Sequence, residues 1–179
     1  MHLNPYGHDA VLLAADLVND PPSGPEDLVQ RCRAAGLVVD ATADDDLERA
    51  REVLDGWVRV VDADEPAGRA GRAAIVNELL AEYCGHPRLT DHADDGHHLH
   101  FRDADLPLGR VLCSLIAMGT ALHLAGRGMH RLGRCAVDGC ERVFADVSRT
   151  ARQRYCSTAC ANRDAVRRHR ARPRPSTEE

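Results

Sequence analysis

Apolar positions along the chain fall into blocks of helical period separated by Pro, Gly and Asp. Between residues 9 and 19, Val11, Leu12, Leu13, Leu17 and Val18 predict a short buried helix or a strand leading into one. Pro21-Pro22-Ser23-Gly24-Pro25 breaks it. A helix is expected from Pro25, with Leu28, Val29, Cys32 and Ala35 at helical spacing and Gly36 as its stop. A third begins around residues 44–46, where three acids complement the helix dipole, and sets Leu47, Ala50, Leu54, Trp57, Val58 and Val61 on one face. A fourth spans about 66–83 and buries Val76, Leu79, Leu80 and Tyr83.

The texture changes at Pro87. Residues 88–90, the Asp94-Asp95-Gly96 turn and residues 97–102 read as a β-hairpin, with Leu99 and Phe101 on one side of its second strand and His98 and His100 on the other. A long apolar helix over about 108–125 is the expected centre of the core, closed by Gly126 and Gly128. The pattern therefore predicts an α+β fold: a mostly helical N-terminal domain over residues 1–126 with a β-hairpin, then a small module over 131–173 and a disordered tail over 174–179.

Charge sharpens that division. Residues 1–126 carry 10 Arg against 22 Asp and Glu, a net of −12, whereas residues 127–179 carry 13 Arg against 6 acids, a net of +7. The first part repels polyanions and the second attracts them. The longest uncharged apolar stretch, residues 111–122, falls short of the ~20 residues a bilayer span needs. Met1-His2-Leu3-Asn4-Pro5 lacks the basic flank and apolar core of a secretory signal, so the expected location is cytoplasmic, away from membranes. In a reducing compartment, clustered cysteines hold metal more often than disulfides.

That chemistry is concentrated in Cys135-x4-Cys140, fifteen intervening residues, and Cys156-x3-Cys160. Four thiolates in two close pairs suit one tetrahedral, structural Zn²⁺ with a closed coordination shell. Ala136-Val137-Asp138-Gly139 is a tight turn between the first two ligands. Residues 143–147 alternate weakly, turn at 148–151 and return through 153–155, which predicts a second hairpin. Ser157 is placed to cap a helix holding the last two ligands, so the module reads as a treble-clef-like zinc finger. The module has few apolar residues, and Phe144, Tyr155 and Val166 could hardly stabilise it alone, so it is expected to owe most of its folding free energy to the metal.

Residues 133–172 resemble the CGNR zinc finger, which follows an ABATE domain in bacterial proteins proposed to be stress-induced transcription regulators. The matching positions are Arg134-Cys135, Cys140, Phe144-Ala145-Asp146-Val147-Ser148-Arg149, Tyr155-Cys156-Ser157 and Cys160-Ala161-Asn162-Arg163. Ala161 replaces the Gly of the family's name and Tyr155 stands where Trp is common. Ala161 is expected to lie in the helix, where it is harmless, and would be strained if the position needed positive φ. Asp16-Leu17-Val18-Asn19 resembles the early Asp-Phe-x-Asn-Thr of ABATE.

After Cys160 follow Asn162, Arg163, Arg167, Arg168, Arg170 and Arg172, with Asp164 the one acid before the tail. A basic helix projecting from a zinc core points to duplex DNA, with phosphate contacts supplying affinity and Asn162 suited either to an adenine edge or to local backbone bonding. The alternative is a protein-interaction module whose basic helix docks on an acidic partner or on its own N-terminal domain. The resemblance implies transcription regulation, with the N-terminal domain sensing a small-molecule effector or forming a homodimer. His92, His97, His98 and His100 beside Asp91, Asp94 and Asp95 form a weaker candidate for a second metal, solvated histidines being the simpler reading. Nucleophile-elbow, phosphate-loop and dinucleotide fingerprints are all missing from the sequence, so no enzyme is expected.

Overall fold

The computed structural model describes residues 7–63, 68–90 and 97–171, with the backbone alone for 68–70 and 98. The Asp94-Asp95-Gly96 turn, His92, the expected helix start at Pro66, Arg172 and the tail lie outside the described residues. The elements are α1 (His8–Asn19), α2 (Pro25–Ala34), α3 (Asp46–Asp62), α4 (Gly68–Tyr83), β1 (Arg88–Thr90), β2 (His98–His100), α5 (Leu108–Arg127), β3 (Leu132–Arg134), β4 (Val143–Ala145) and α6 (Thr158–Arg170).

Helix α5 is the axle of the N-terminal part, in contact with α1, α3 and α4. By length and composition it could cross a membrane, but most of its surface is buried among its neighbours. Leu112, Ile116 and Leu124 meet Val11, Leu17, Val53, Trp57 and Val60 in one cluster. The helices approach closely where side chains vanish. A Cβ at Gly7, which has φ of 62°, would lie 2.0 Å from the Gly119 carbonyl oxygen, so α1 starts directly against the backbone of α5. Trp57 donates its indole N–H to Thr120 Oγ1 (3.1 Å), and Thr120 passes its own proton to the Ile116 carbonyl (2.6 Å). These two bonds satisfy the Trp57 indole and the Thr120 hydroxyl within α3 and α5.

The acids at the head of α3 do more than complement a dipole. Asp46 is buried, and its carboxylate accepts the backbone N–H of Ala43 (2.9 Å) and that of Gly109 (2.8 Å). One side chain therefore fixes the turn that leads into α3 through Ala43 and pins the first turn of α5 through Gly109, whose N–H has no partner within its own helix.

Strands β1 and β2 pair antiparallel with Leu89 opposite Leu99. The second sheet differs from the sequence expectation. Strand β4 pairs with β3, in the register Leu132↔Ala145 and Arg134↔Val143, and not with residues 153–155. Asp146 turns the chain instead: its carboxylate accepts the N–H groups of Ser148 (2.9 Å) and Gln153 (3.0 Å), and Ala151 adopts φ of 56°. That bend takes residues 148–155 away from β4, leaving its edge to Leu132-Gly133-Arg134.

Candidate metal centre and its arginine-rich surround

The β3–β4 hairpin carries the first two cysteines just beyond its strands, and α6 carries Cys160 in its first turn with Cys156 just before it. Cys135 N–H bonds to the Arg142 carbonyl (2.9 Å), Cys140 N–H to the Val137 carbonyl (3.0 Å), and Gly139 turns at φ of 76°. Ser157 caps α6 by accepting the Cys160 N–H on its hydroxyl (3.2 Å). Ala161 lies inside α6, so its side chain meets no backbone strain.

These constraints bring the four sulfurs within 4.8 Å of one another. The Cys140–Cys156, Cys156–Cys160 and Cys160–Cys140 separations are 3.8, 3.7 and 3.9 Å. A regular tetrahedron with Zn–S bonds of about 2.3 Å has edges of about 3.8 Å, so the cluster has the dimensions of a tetrathiolate zinc site. All four cysteines are free of disulfides. The site therefore fits one structural Zn²⁺, and four sulfur ligands leave no open coordination position for catalysis.

In the absence of bound metal the thiols compete for negative charge. Hydrogen bonding from Ser157 and the neighbouring thiols pulls the Cys160 thiol below its ordinary range, whereas burial and the other sulfurs push Cys156 above it. Cys135, Cys140, Cys156 and Cys160 would hold Zn²⁺ as four thiolates. Arg163 directs its guanidinium to Cys160 Sγ (3.4 Å), and the start of α6 adds its positive dipole end.

The finger is bolted to the helical part by its hairpin. Leu132, Val143 and Ala145 belong to the same apolar cluster as α1 and α3. Asn19 closes a two-point bond across the junction, donating to the Val143 carbonyl (2.9 Å) and accepting the Val143 N–H (2.8 Å). Arg134 pairs in a fork with Asp62 (2.6 and 2.7 Å). The Asn of the Asp16-Leu17-Val18-Asn19 stretch thus holds a strand edge. Replacing it by Ala strands a half-buried N–H and carbonyl and should cost about 2 to 3 kcal/mol. A lower urea midpoint at unchanged zinc content checks this, and Asn19→Ala unfolding at the wild-type midpoint would refute it.

The arginines sort differently from the sequence reading. Arg167 is engaged by Asp138 (2.6 Å) and Asp164 (2.9 Å), and Arg168 by Asp164 (3.0 Å), a buried carboxylate that also accepts the Tyr155 hydroxyl (2.6 Å). Arg163 faces the sulfurs, Asn162 and Arg170 are exposed, and Arg172 lies outside the described residues. Among the described residues α6 forms no ion pair with α1–α5. The ion pair that joins the finger to the N-terminal part among the described residues is Arg134 with Asp62. Arg149, Arg152 and Arg154, absent from the expected set, stand exposed before Cys156 with no carboxylate within 4.0 Å among the described residues. Their signal was present: no Asp or Glu occurs between Asp146 and Asp164.

Among the described residues the four cysteines are the one cluster built for metal. His97 is exposed, His100 half-buried, and the remaining members of the His/Asp hairpin candidate fall outside the described side chains.

Two family models match the chain. The family model described as "CGNR zinc finger" matches residues 131–173. The one described as "Putative stress-induced transcription regulator", ABATE, matches residues 12–127. Neither is a family of enzymes. No match is found among curated proteins. The chain therefore belongs to the ABATE family and carries a C-terminal zinc finger of the CGNR type.

Proposed function

We propose that the protein is a cytoplasmic DNA-binding transcription regulator whose zinc finger contacts duplex DNA and whose N-terminal domain senses a small molecule or forms a homodimer. The observation that carries this reading is the set of guanidinium groups left without counter-charges on the finger. Arg149, Arg152, Arg154 and Arg170 are exposed and unpaired among the described residues, whereas Asp138 and Asp164 already neutralise Arg167 and Arg168. Free guanidinium groups release counterions from phosphate at little desolvation cost, while paired ones must first break an ion pair.

Salt titration on duplex DNA tests this. Replacing Arg149, Arg152 and Arg154 together by Gln should flatten the log–log salt slope by about two to three, since each phosphate contact contributes about 0.9. Arg167→Gln should change it by less than one. A wild-type slope near zero would remove DNA as the partner.

A second reading has one observation in its favour. Val166 is 50% exposed on α6 within a rim of Asn162, Arg163, Arg167 and Arg170, a surface that also suits an acidic amphipathic peptide. Binding to such a peptide with no measurable DNA retention would favour the interaction module.

A further inference from the structure

A cavity of about 460 Å³ opens between the segment linking α2 to α3, the β1–β2 hairpin and the start of α5. That volume is in the range of small-molecule sites. Its walls divide by chemistry. Val38, Val39, Leu89 and Leu106 supply an apolar side, and Arg88 and Arg102 supply two cations.

Arg102 is the unusual member. It is half-buried, it donates to the Asp103 carbonyl (3.1 Å), and no carboxylate lies within 4.0 Å of it among the described residues. Two other half-buried guanidinium groups have a carboxylate partner, Arg31 in Asp16 and Arg49 in Asp45. Burial holds the Arg102 pKa below the ordinary arginine range, with Asp40 and Asp105 acting against the shift and Arg88 adding to it. The cavity thus contains a cation whose planar fork meets one backbone carbonyl and, among the described residues, no carboxylate within 4.0 Å, next to an apolar wall.

We propose that this cavity binds a small amphipathic monocarboxylate, with the carboxylate on the Arg102 guanidinium and the apolar body against Val38, Val39 and Leu89. The proposal rests on the ligand-sensing part of the function proposed above and gives that ligand a chemical class. A single negative charge fits better than a phosphate dianion, because Asp40 and Asp105 line the same space and repel a second charge. A carboxylate also matches the guanidinium fork with two parallel hydrogen bonds. The ligand is either a plain acid or an amino acid whose ammonium faces Asp40 and Asp105.

The site is also well placed to report its state. Leu108 and Val111 at the start of α5 line the cavity, and at the other end of that helix the Arg127 carbonyl accepts the Arg131 Nε–H (3.0 Å) at the root of the finger.

Calorimetry on the full zinc-loaded chain, without DNA, separates the possibilities with four probes of related shape or charge: 4-methylpentanoate, L-leucine, 4-methylpentan-1-ol and inorganic phosphate. Saturable binding of 4-methylpentanoate, or of leucine, with the alcohol at least tenfold weaker, supports the site. Preference between the two acids tells a plain acid from an amino acid. Arg102→Gln should weaken the acid at least tenfold. Val38→Glu, at a position 72% exposed where folding is not at stake, should weaken it several-fold by adding a repelling charge. Failure of both acids to saturate below about 10 mM overturns the proposal. So does equal binding of the alcohol, phosphate binding tighter than either acid, or acid binding unchanged in both variants at wild-type zinc content. Because DNA is absent, a negative result here leaves the DNA reading standing, and loss of DNA retention leaves this site standing.

Discussion

Cys156→Ser should reduce bound zinc from one ion per chain to well below half and melt α6, while leaving α1–α5 folded. Three thiolates and a hydroxyl do not replace four thiolates around Zn²⁺, whose apparent binding free energy in small fingers is about 10 to 16 kcal/mol at neutral pH. Residues 135–142 and 150–171 have little else to hold them. Their apolar cluster consists of Cys135, Val137 and Cys160 with Cys140, Tyr155 and Cys156 packed beside it, so the ligands themselves are its core. Val166, which sequence inspection counted toward the module's interior, is half exposed. The hairpin root is different. Leu132, Val143 and Ala145 pack on α1 and α3, and Asn19 and Arg134 bond across that junction without involving a sulfur. Metal analysis beside circular dichroism and limited proteolysis reads the outcome: new cleavage at Arg154, Arg163 or Arg167, with the helical signal of α1–α5 retained. Chelation of wild-type protein should reproduce the pattern. Equal zinc content in the variant and the wild type would undo the ligand assignment, and loss of all helical signal would show that the metal stabilises the whole chain rather than its end.

The contrast between sulfur site and hairpin root also marks where the sequence was informative. Four cysteines in two short-spaced pairs constrain the fold because metal geometry admits few arrangements, so the ligand set, the Ser157 cap and the helical setting of Ala161 could all be read from residue order. Helical periodicity likewise placed α2, α3 and α5, because a buried stripe repeats over several turns. What escaped were features that depend on one polar side chain meeting backbone far away. Asp46 reads as an ordinary acid in a helix's first turn, and only packing shows that its carboxylate reaches Gly109. Asn19 reads as a helix end, and its partner is 124 residues distant. Leu132-Gly133-Arg134 is too short to carry a strand signal, so β4 was assigned the nearer partner. Local alternation in 143–147 could not reveal that Asp146 would capture two N–H groups and turn the chain away. The run of arginines after Cys160 gives weight to Arg167 and Arg168, and in the folded chain both pair with Asp164.

Asp146→Ala should be the most destabilising single change outside the metal ligands and the apolar core, at about 3 to 5 kcal/mol, because it breaks a buried charge arrangement from one side only. Its carboxylate accepts the Ser148 and Gln153 N–H groups and lies 3.4 Å from Arg131, itself buried. Arg131 is otherwise held by carbonyls of Arg127 (3.0 Å), Asp146 (3.2 Å) and Ser148 (2.6 Å), which orient the guanidinium but do not balance its charge. Alanine would leave two N–H groups unpaired and that cation uncompensated. For a chain of this size the loss corresponds to a fall in Tm of about 6 to 20 °C. Adding Arg131→Met should recover a substantial part of it, since the double variant no longer buries a lone charge, and strict additivity of the two losses would show that the pair is not coupled. The pH dependence has a definite sign. Burial alone would raise the Asp146 carboxyl, but the bonds from Ser148 and Gln153 together with Arg131 outweigh it and hold it below the usual carboxylate range. Stability linked to a lowered pKa is fully present above the unfolded value and fades as pH falls through the folded one. The difference between wild type and Asp146→Ala should accordingly stay constant from pH 7 to pH 5 and shrink only below about pH 4. A difference already shrinking by pH 6 would mean that a group other than this carboxylate supplies the stabilisation.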